Sequence, residues 1–298
     1  MRTKKLSLVI LTYNSERHIF DCLESVYKYN DIGDALEIIV VDNHSKGVDA
    51  MFQRIREVYR EEVDREEMVL IKNDANSGYG EGNNVGIRRA SAPYVMVMNP
   101  DVRLLMPVFR RALSVLERGE ACMVGMKQWY VKDVDDGLSF DVDMFKLPPF
   151  LSVALAVLAN RLNFYWQRYM YINGACFLID KQLFEEIGLF DKRIFLYCEV
   201  LDIYRRIMAH HPKHKIKFLK DCHYLHLAGD RDISTVAFQR QLESERYCAE
   251  KFGYSFEQLI HNKIGVNTVY IVMNWLKGKK QHIESLKAIR KQLKEELK

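Results

Sequence analysis

The stretch "LSLVILTYN" (residues 6–14) decides the fold class of the chain, because a continuous apolar run ends there in polar residues. Strands that are buried on both faces of a parallel sheet have this pattern, since helices cover both faces. The stretch "LEIIVVDNHS" (36–45) repeats it and places Asp42 where the apolar run ends. Each stretch is therefore predicted to be a buried parallel strand that leads into a polar cluster.

Two more strands are predicted at "MVLIKND" (68–74) and "YVMVMNPDV" (94–102). Helices are predicted over 16–29 and 48–63, and "GYGEGNNVGIRRA" (78–90) is predicted to be a glycine-rich loop that leads into a short helix. An alternation of strand and helix implies right-handed crossovers. It predicts an α/β fold with a mostly parallel sheet flanked by helices.

The rest of the chain is predicted to continue this fold and then to leave it. The predicted elements are a helix near 107–119, a strand near 121–130, an apolar helical piece within 131–170, a strand–turn–helix unit over 171–191, a strand near 215–224 and a helix near 235–252. A helical, amphipathic tail follows from residue 255, with nine lysines and arginines against four glutamates, whereas the whole chain has a net charge of +4. The basic tail is compatible with an anionic membrane surface, a homodimer contact or a solvated helix.

The cysteines and the apolar runs indicate the compartment. No two of the six cysteines form a C-x-x-C pair, which argues against a zinc site and against a disulfide framework. The apolar run near the N-terminus has only about six residues and no signal-peptide cleavage site. The stretch "LPPFLSVALAVLAN" (147–160) is shorter than the roughly 18–20 apolar residues of a membrane span. We expect a cytoplasmic protein.

Four polar clusters follow the predicted strands, at 12–14, 42–45, 73–78 and 99–101. Ligands of such sheets bind beyond the carboxyl ends of the strands, so these clusters are expected to lie together in one site. The glycine-rich stretch does not follow the first strand and contains no Gly-Lys-Ser/Thr. These two facts argue against a nicotinamide dinucleotide fingerprint and exclude a phosphate-binding P-loop.

Four side chains near these strand ends suit a nucleotide or a metal ion. Asp42 can hydrogen-bond a base or a ribose, or it can cap a turn. Asp101 offers a hard oxygen to Mg²⁺ or Mn²⁺, and a turn with Pro100 at its second position is the alternative. Asn99 can add a neutral contact. His226 is a candidate metal ligand or phosphate donor, although a lone histidine is more often structural.

The chain resembles the family 2 glycosyltransferases, most closely their rhamnosyltransferase-like branch, over residues 6–250. The resemblance rests on "VILTYNSERHIFDCLESV", "IIVVDNHS", "NSGYGEGNNVGI", "VMVMNPDV", "NGACFLIDKQLFEEIGLFDKRIFLYCEVLDIYRRI" and "HYLHLAG", in that order. It implies a GT-A fold, with a Rossmann-like mixed, mostly parallel sheet flanked by helices and a helical C-terminal extension. It also implies the metal-dependent, inverting transfer of a sugar from a nucleotide donor. The implied donor-binding residues are Thr12, Tyr13, Asn14, Asp42, Asn76, Gly78, Asn83, Asn84 and Asn99. The implied metal ligands are Asp101 and His226.

The chain departs from this family where the catalytic base is expected. The family usually reads Glu-Asp-x-Asp, whereas this chain reads Glu199-Val200-Leu201-Asp202. Glu199 and Asp202 are three apart and are predicted to share a helix face. We take both as catalytic candidates and favour Glu199, with Asp191 as a more distant candidate. A chain that binds a donor without turning it over is the alternative.

The resemblance divides the chain into residues 1–252, with a nucleotide-binding half (1–105) and an acceptor-side half (106–252), and the tail 253–298. The segment 131–170 of the acceptor-side half carries apolar side chains that are compatible with an acceptor groove, a partner contact, a membrane contact or core packing. These side chains are Phe150, Leu151, Leu155, Leu158 and Trp166.

The expected function is sugar transfer from a UDP- or dTDP-linked donor to a glycan or lipid-linked acceptor, in the synthesis of a cell-surface polysaccharide. The expected location is the cytoplasm, with peripheral binding to the inner face of the cell membrane. No nucleic-acid partner is expected. Two rival functions are a non-catalytic nucleotide-sugar-binding protein and a sugar nucleotidyltransferase. The second rival needs glycines directly after the first strand, and "LTYNSER" has none.

Overall fold

Ten strands form two sheets in the computed structural model, which describes residues 3–130, 137–143, 145–210, 213–227, 235–276, 278 and 280–297. The strands are β1 (Leu6–Thr12), β2 (Leu36–Asp42), β3 (Met68–Lys72), β4 (Tyr94–Met98), β5 (Val102–Leu104), β6 (Met123–Trp129), β7 (Phe140–Val142), β8 (Met170–Ile172), β9 (Cys176–Asp180) and β10 (Ile216–His226). The large sheet has the order β3-β2-β1-β4-β9-β6-β10-β5, and β7 pairs with β8 in the small one.

Eleven helices within the described residues surround these sheets. They are α1 (Glu16–Lys28), α2 (Val48–Val58), α3 (Arg60–Asp64), α4 (Gly78–Arg89), α5 (Phe109–Glu117), α6 (Pro149–Leu162), α7 (Lys181–Glu186), α8 (Glu199–His210), α9 (Thr235–Lys251), α10 (Phe256–Leu276) and α11 (Lys280–Glu295). No described helix is both long enough and apolar enough to cross a membrane.

The parallel half of the sheet is as the sequence predicts. Strand β1 pairs in parallel with β2 and with β4, and β2 pairs in parallel with β3. Every residue of β1 and β2 is buried, since helices cover both faces. The second half is mixed, because β9 runs antiparallel to both β4 and β6. The family resemblance implied such a mixed, mostly parallel sheet. The apolar run of a strand indicates its burial and not its direction, so it did not identify β9 as the reversed strand.

The glycine-rich stretch 78–90 differs from the predicted loop, because helix α4 already begins at Gly78. Its glycines face the sheet at very short range. A Cβ on Gly86 would lie 2.6 Å from Val9 Cγ1 and 2.9 Å from Val41 Cγ2. Glycine inside a helix costs about 1 kcal/mol relative to alanine, and close packing on β1 and β2 outweighs that cost here.

Two predicted boundaries also move. The predicted helix 48–63 is divided at Tyr59 into α2 and α3. The predicted strand 94–102 ends at Met98, where a turn closed by the hydrogen bond from Val102 N to Asn99 O leads into β5. Because β5 pairs antiparallel with the end of β10, this turn holds Asp101 next to the last residues of β10. The turn therefore brings two distant parts of the chain together.

The C-terminal residues form two helices that pack on the rest of the fold. Helix α10 contacts α6, α9 and α11, and Gly265 lies against Pro149 at the start of α6. A small apolar cluster joins α9, α10 and α11. It consists of Phe238, Leu242, Ile260 and Leu293. The predicted helical tail is thus helical, and α10 is partly buried along most of its length.

Candidate active site

A cleft of about 350 Å³ opens at the carboxyl ends of β1, β2 and β4. All four predicted polar clusters contribute residues to its lining. The lining residues are Leu11, Tyr13, Ser15, His18, Asn43, Asn76, Gly78, Tyr79, Asn99, Pro100, Asp101, Phe195, Leu196 and Arg240. The first four strand ends therefore meet as predicted, and two later segments, around Phe195 and Arg240, complete the wall.

Asp42 lies directly behind this wall and is fully buried. Its carboxylate accepts hydrogen bonds from Thr12 Oγ1 (2.9 Å), from the backbone N–H of Ser45 (2.8 Å) and from Ser45 Oγ (2.6 Å). Asn14 joins the same turn, because its backbone N–H donates to Ser45 Oγ at 2.7 Å. In this conformation Asp42 has the contacts of a turn-capping aspartate, which is the alternative that the sequence left open.

Asn43, which the sequence analysis did not single out, organises the loop beside the cleft. Its amide nitrogen donates to Asn76 Oδ1 (2.9 Å) and to the carbonyl of Gly78 (3.0 Å), and its oxygen accepts from Asn73 (3.1 Å). The loop leading into α4 is thus fixed by a buried amide. Its position one residue after the end of β2 is the signal that could have identified it.

Gly78 is required because the segment 195–198 lies directly on it. The residue has φ +86°, and a Cβ there would collide with the carbonyl oxygen of Phe195. That carbonyl accepts a hydrogen bond from Tyr79 N at 2.9 Å. The covering segment is itself strained, because Tyr197 and Cys198 have φ of +70° and +67°. Left-handed backbone at non-glycine residues costs roughly 1–2 kcal/mol per residue and is concentrated at functional sites.

Asp101 and His226 face each other across the turn that joins β4 to β5. His226 Nε2 lies 3.4 Å from Asp101 Oδ1, and both side chains are nearly buried. The other ring nitrogen, Nδ1, lies 3.1 Å from Gln128 Oε1. Because Gln128 Nε2 donates to Leu138 O, Oε1 is the atom that faces the ring, and Nδ1 carries the proton.

The other ring nitrogen, Nε2, therefore faces a carboxylate oxygen. Within the described residues Nε2 has no hydrogen-bond partner. An imidazole lone pair and a carboxylate this close suit a cation between them, and both are good ligands of Mn²⁺ or Mg²⁺. The described part of the chain has no cluster of three or more acidic, histidine or cysteine side chains arranged for a metal. Such a cation would need further ligands from a substrate.

Glu199 is the first residue of α8 and is buried, immediately after the strained Tyr197 and Cys198. The pKa of its carboxyl is raised to about 7, mainly by burial and to a smaller extent by the negative charge of Asp202. Hydrogen bonds from backbone N–H groups partly oppose this increase. Within the described residues, Glu199 Oε1 has no hydrogen-bond partner. Such a carboxylate can accept a proton near neutral pH. Glu199 is not among the residues that line the cleft, whereas Phe195 and Leu196 of the preceding segment are.

Asp202 lies in a different environment, although it is only three residues away. It is fully buried and pairs with Arg206 (2.6 Å) and Lys251 (2.5 Å). Lys251 also binds Asp191 at 2.8 Å. Burial opposes ionisation of Asp191, but hydrogen bonds from Lys251 and Tyr247 outweigh it and hold the pKa of this carboxyl well below its usual range. Asp191 and Asp202 are thus occupied in a clamp between α8 and α9.

Val200, at the position of the expected base, packs in the core. A Cβ on Gly174 would lie 2.7 Å from Val200 Cγ2. An aspartate at this position would place a charge among apolar side chains.

The asparagines of α4 make hydrogen bonds within the protein. Asn84 Nδ2 donates to the carbonyl of Phe190 (2.9 Å), and Asn84 Oδ1 accepts from the N–H of Phe190 (3.0 Å). Asn83 Nδ2 donates to the carbonyl of Tyr79 one turn earlier in the helix. Neither residue lines the cleft, whereas Tyr13, Asn76, Gly78 and Asn99 do. The helix turns its polar side chains toward the segment after α7, which local sequence did not predict.

Arg240 brings a positive charge to the cleft from α9. Its guanidinium carbon lies 4.3 Å from the ring centroid of Phe195. This residue was missed because it lies about 140 residues after the nearest predicted cluster, on a helix without a motif. Only the packing of α9 over the segment 195–198 brings it to the site.

The family model of glycosyl transferase family 2 matches residues 7–188, which is more than half of the chain. Among curated proteins, the chain is 23% identical over 204 residues to the low-salt glycan biosynthesis hexosyltransferase Agl10 of Haloferax volcanii, and 20% identical over 243 residues to the uncharacterized glycosyltransferase EpsJ of Bacillus subtilis. These matches cover 66% and 80% of the chain. They span only 59% of Agl10 and 65% of EpsJ.

Solved structures show the same architecture. The mannosyltransferase PcManGT of Pyrobaculum calidifontis, in complex with GDP-Man and Mn²⁺, matches with a TM-score of 0.60 at 15% identity, over 86% of this chain and 66% of that one. S. aureus TarS 1–349 in complex with UDP-GlcNAc matches with a TM-score of 0.55 at 17% identity, over 89% and 71%. Likenesses at this identity show the fold, which is the GT-A fold that the sequence motifs predict.

Proposed function

The chain belongs to the family 2 glycosyltransferases, and from this premise we propose that it transfers a sugar from a nucleoside-diphosphate donor to a hydroxyl group of an acceptor. The observation that carries the proposal is the pairing of Asp101 with His226 in the wall of the cleft. A diphosphate bound there would supply the oxygen ligands that this pair lacks. The half-exposed ring of Tyr13 offers an apolar face to the base of the donor at the same cleft.

Asp101 and His226 are the residues that would hold Mg²⁺ or Mn²⁺. The ion would supply positive charge against the charge that develops on the leaving diphosphate. Relatives of the same fold support this choice, since PcManGT and the enzyme GalNAc-T7 were both solved with Mn²⁺. Arg240 adds a second, permanent positive charge at the other side of the cleft. A guanidinium suits the oxygens of a diphosphate.

Glu199 is proposed as the catalytic base. In an inverting transfer the acceptor oxygen attacks the anomeric carbon, the bond from that carbon to the diphosphate oxygen breaks, and the acceptor proton passes to a carboxylate. Glu199 has the pKa for this role, about 7. In this proposal, an acceptor reaches Glu199 when the segment 195–198 moves. Tyr197 and Cys198 have strained, left-handed backbone conformations, and release of this strain would favour the movement.

The proposal includes a hexosyl or rhamnosyl donor linked to UDP or dTDP, and the name of Agl10 supports the hexosyl choice. The acceptor is proposed to be a glycan or a lipid-linked glycan of the cell surface, and the protein to act at the cytoplasmic side of the membrane. The name of Agl10, a glycan biosynthesis hexosyltransferase, supports a glycan acceptor. The complex of TarS 1–349 with UDP-GlcNAc supports a UDP-linked donor.

A donor-binding protein without transferase activity is the second candidate, and the position of Val200 favours it. Val200 is buried where the family usually has its base, and Asp202 is neutralised by two cations. Donor hydrolysis and transfer assays with Mn²⁺ decide between the candidates. Donor binding without release of sugar, across a panel of acceptors, would favour the second candidate.

The metal role of Asp101 is tested by thermal shift. Asp101→Asn keeps the size of the side chain and removes its charge. We expect the wild type to gain stability from a nucleoside diphosphate with Mn²⁺, and the variant to lose the Mn²⁺-dependent part of that gain, about 1–3 kcal/mol. Asp74→Asn, an exposed aspartate on the neighbouring loop, is the matched control. An unchanged Mn²⁺-dependent shift in Asp101→Asn removes this residue from the site.

A further inference from the structure

Helix α6 presents an apolar stripe to solvent, which reverses the usual arrangement of a surface helix. Its exposed residues recur at helical spacing along one side. The exposed apolar side chains of this stripe are Phe150 (69% exposed), Leu151 (51%), Val157 (45%), Leu158 (57%) and Leu162 (65%). A surface helix normally turns charged and polar side chains outward. Contiguous exposed apolar residues mark a site of protein or membrane contact.

The stripe is held in a fixed orientation. On the opposite side of α6, Val153 and Ala159 are buried. Asn160 Nδ2 donates to the carbonyl of Phe140 (2.9 Å), and Asn160 Oδ1 accepts from the N–H of Ser139 (2.8 Å). These bonds anchor the helix to strand β7, so rotation of α6 cannot bury the stripe. The exposed face is therefore a permanent surface of the fold.

The sequence that contains the stripe is basic. Residues 144–179 contain three basic side chains, Lys146, Arg161 and Arg168, and no aspartate or glutamate. Helix α10, which packs against α6, continues the pattern. Its last residues, Trp275 and Leu276, are exposed. Residues 258–283 contain four lysines and no acidic residue, and one of the four, Lys263, is paired with Glu245 of α9. A protein surface that combines apolar, aromatic and basic side chains is complementary to a surface that is apolar inside and anionic outside.

We propose that the stripe of α6, together with the exposed end of α10, binds the surface of an anionic lipid bilayer. Amphipathic surface-bound helices place their apolar side chains at the boundary of headgroups and acyl chains and keep their basic residues at the phosphates. The 14 residues of α6 are too short to span a bilayer, which needs about 20, so the helix lies in the interface plane. This surface is independent of the cleft and of the sugar transfer proposed for it.

Vesicle co-sedimentation of the full chain tests the proposal. We expect the wild type to bind vesicles of phosphatidylcholine with phosphatidylglycerol, and to bind vesicles of phosphatidylcholine alone more weakly. The double variant Leu151→Glu/Leu158→Glu is expected to lose binding by about tenfold or more, because two inserted leucines are replaced by anions. The matched control is Val58→Glu, since Val58 is 58% exposed on the distant helix α2. It is expected to bind like the wild type.

Each contrary result is informative. Absence of wild-type binding to both vesicles, unchanged binding by the double variant, or equal loss in Val58→Glu overturns the assignment. Light scattering after gel filtration tests the alternative that a second copy of the chain binds the stripe. A wild-type dimer that the double variant dissociates, without vesicle binding, overturns the membrane assignment in favour of dimerisation. Circular dichroism and the thermal shift with a nucleoside diphosphate establish that the double variant is folded, and they report on the cleft independently of lipid binding.

Discussion

At the scale of single residues, two carboxylates three positions apart have opposite electrostatic environments. Glu199 is buried beside apolar and aromatic groups, and burial raises the pKa of its carboxyl to about 7. Asp202 is buried between Arg206 and Lys251, which both donate hydrogen bonds to it. A carboxylate that exchanges protons near neutral pH suits acid–base chemistry, whereas a doubly paired one suits structural support. The sequence made both residues candidates and favoured Glu199, but it did not reveal the different partners of the two carboxylates.

Glu199→Gln is expected to stabilise the protein at high pH. A carboxyl whose pKa is raised from 4.5 to about 7 on folding binds its proton more tightly in the folded state. Its favourable contribution is complete below the unfolded pKa and is lost as the pH rises through the folded pKa. Near pH 8 we expect the variant to be more stable than the wild type by about 3 kcal/mol or somewhat less.

Urea unfolding of both proteins across this pH range measures the effect. The difference in free energy of unfolding should decrease toward zero as the pH falls to about 4.5. The same variant should bind donor and lose transfer, because glutamine cannot accept the acceptor proton. A difference that does not depend on pH would contradict the assigned pKa, and retained transfer would place the base elsewhere.

At the scale of elements, the start of α8 is fixed by charged bonds to its neighbours. Asp202 joins α8 to the end of α9 through Lys251. Arg206, one turn later, donates to Asp202 and to the carbonyls of Ile187 and Leu189 after α7. This clamp holds the N-terminal turn of α8 under the cleft and so positions Glu199. The sequence predicted the helix, but its partners are distant in the chain.

Asp202→Asn is expected to destabilise the protein by about 3 kcal/mol, because it leaves Arg206 and Lys251 without a buried counter-charge. Glu199→Gln is expected to have the opposite effect on the free energy of unfolding near pH 8. Chemical denaturation of both variants under one condition measures the contrast. Asp49→Asn is a control, since the ion pair of Asp49 with Lys72 is exposed and should contribute little. Stability of Asp202→Asn equal to that of the wild type would show that the clamp is weak.

At the scale of the whole molecule, the C-terminal helices belong to the packed structure. Ile260 of α10 is fully buried against Phe238 and Leu242 of α9 and Leu293 of α11. Lys263 of α10 also binds Glu245 of α9 at 2.6 Å. Because α9 carries both Arg240 and Lys251, these contacts connect the C-terminal helices to the cleft wall and to the clamp of α8.

Ile260→Ala is expected to lower the free energy of unfolding by about 2–4 kcal/mol, since it opens a cavity in the small cluster between the three helices. Ile264→Ala is the comparison, because Ile264 is partly exposed beside the same cluster and should cost less. Denaturant midpoints of the two variants give the ranking. Equal and small effects would mean that α10 and α11 add little to the stability of the fold.

The first hundred residues show how much local pattern can predict. Largely apolar runs at β1 and β2, with polar residues after each strand, were sufficient to predict a parallel sheet and a cleft at one edge. The direction of β9 and the helical start of α4 at Gly78 were not predicted. Strand direction depends on the pairing of distant segments, and the glycines of α4 are explained only by the side chains of Val9 and Val41 beneath them.

The sequence by itself determined the fold family, the order of the strands with their polar ends and the pair Asp101–His226 as metal candidates, because these depend on periodicity and motif. Only the tertiary structure separated Glu199 from Asp202, brought Arg240 to the cleft and exposed the apolar stripe of α6. The physical reason is that the protonation, pairing and exposure of a side chain depend on neighbours that folding brings from distant parts of the chain.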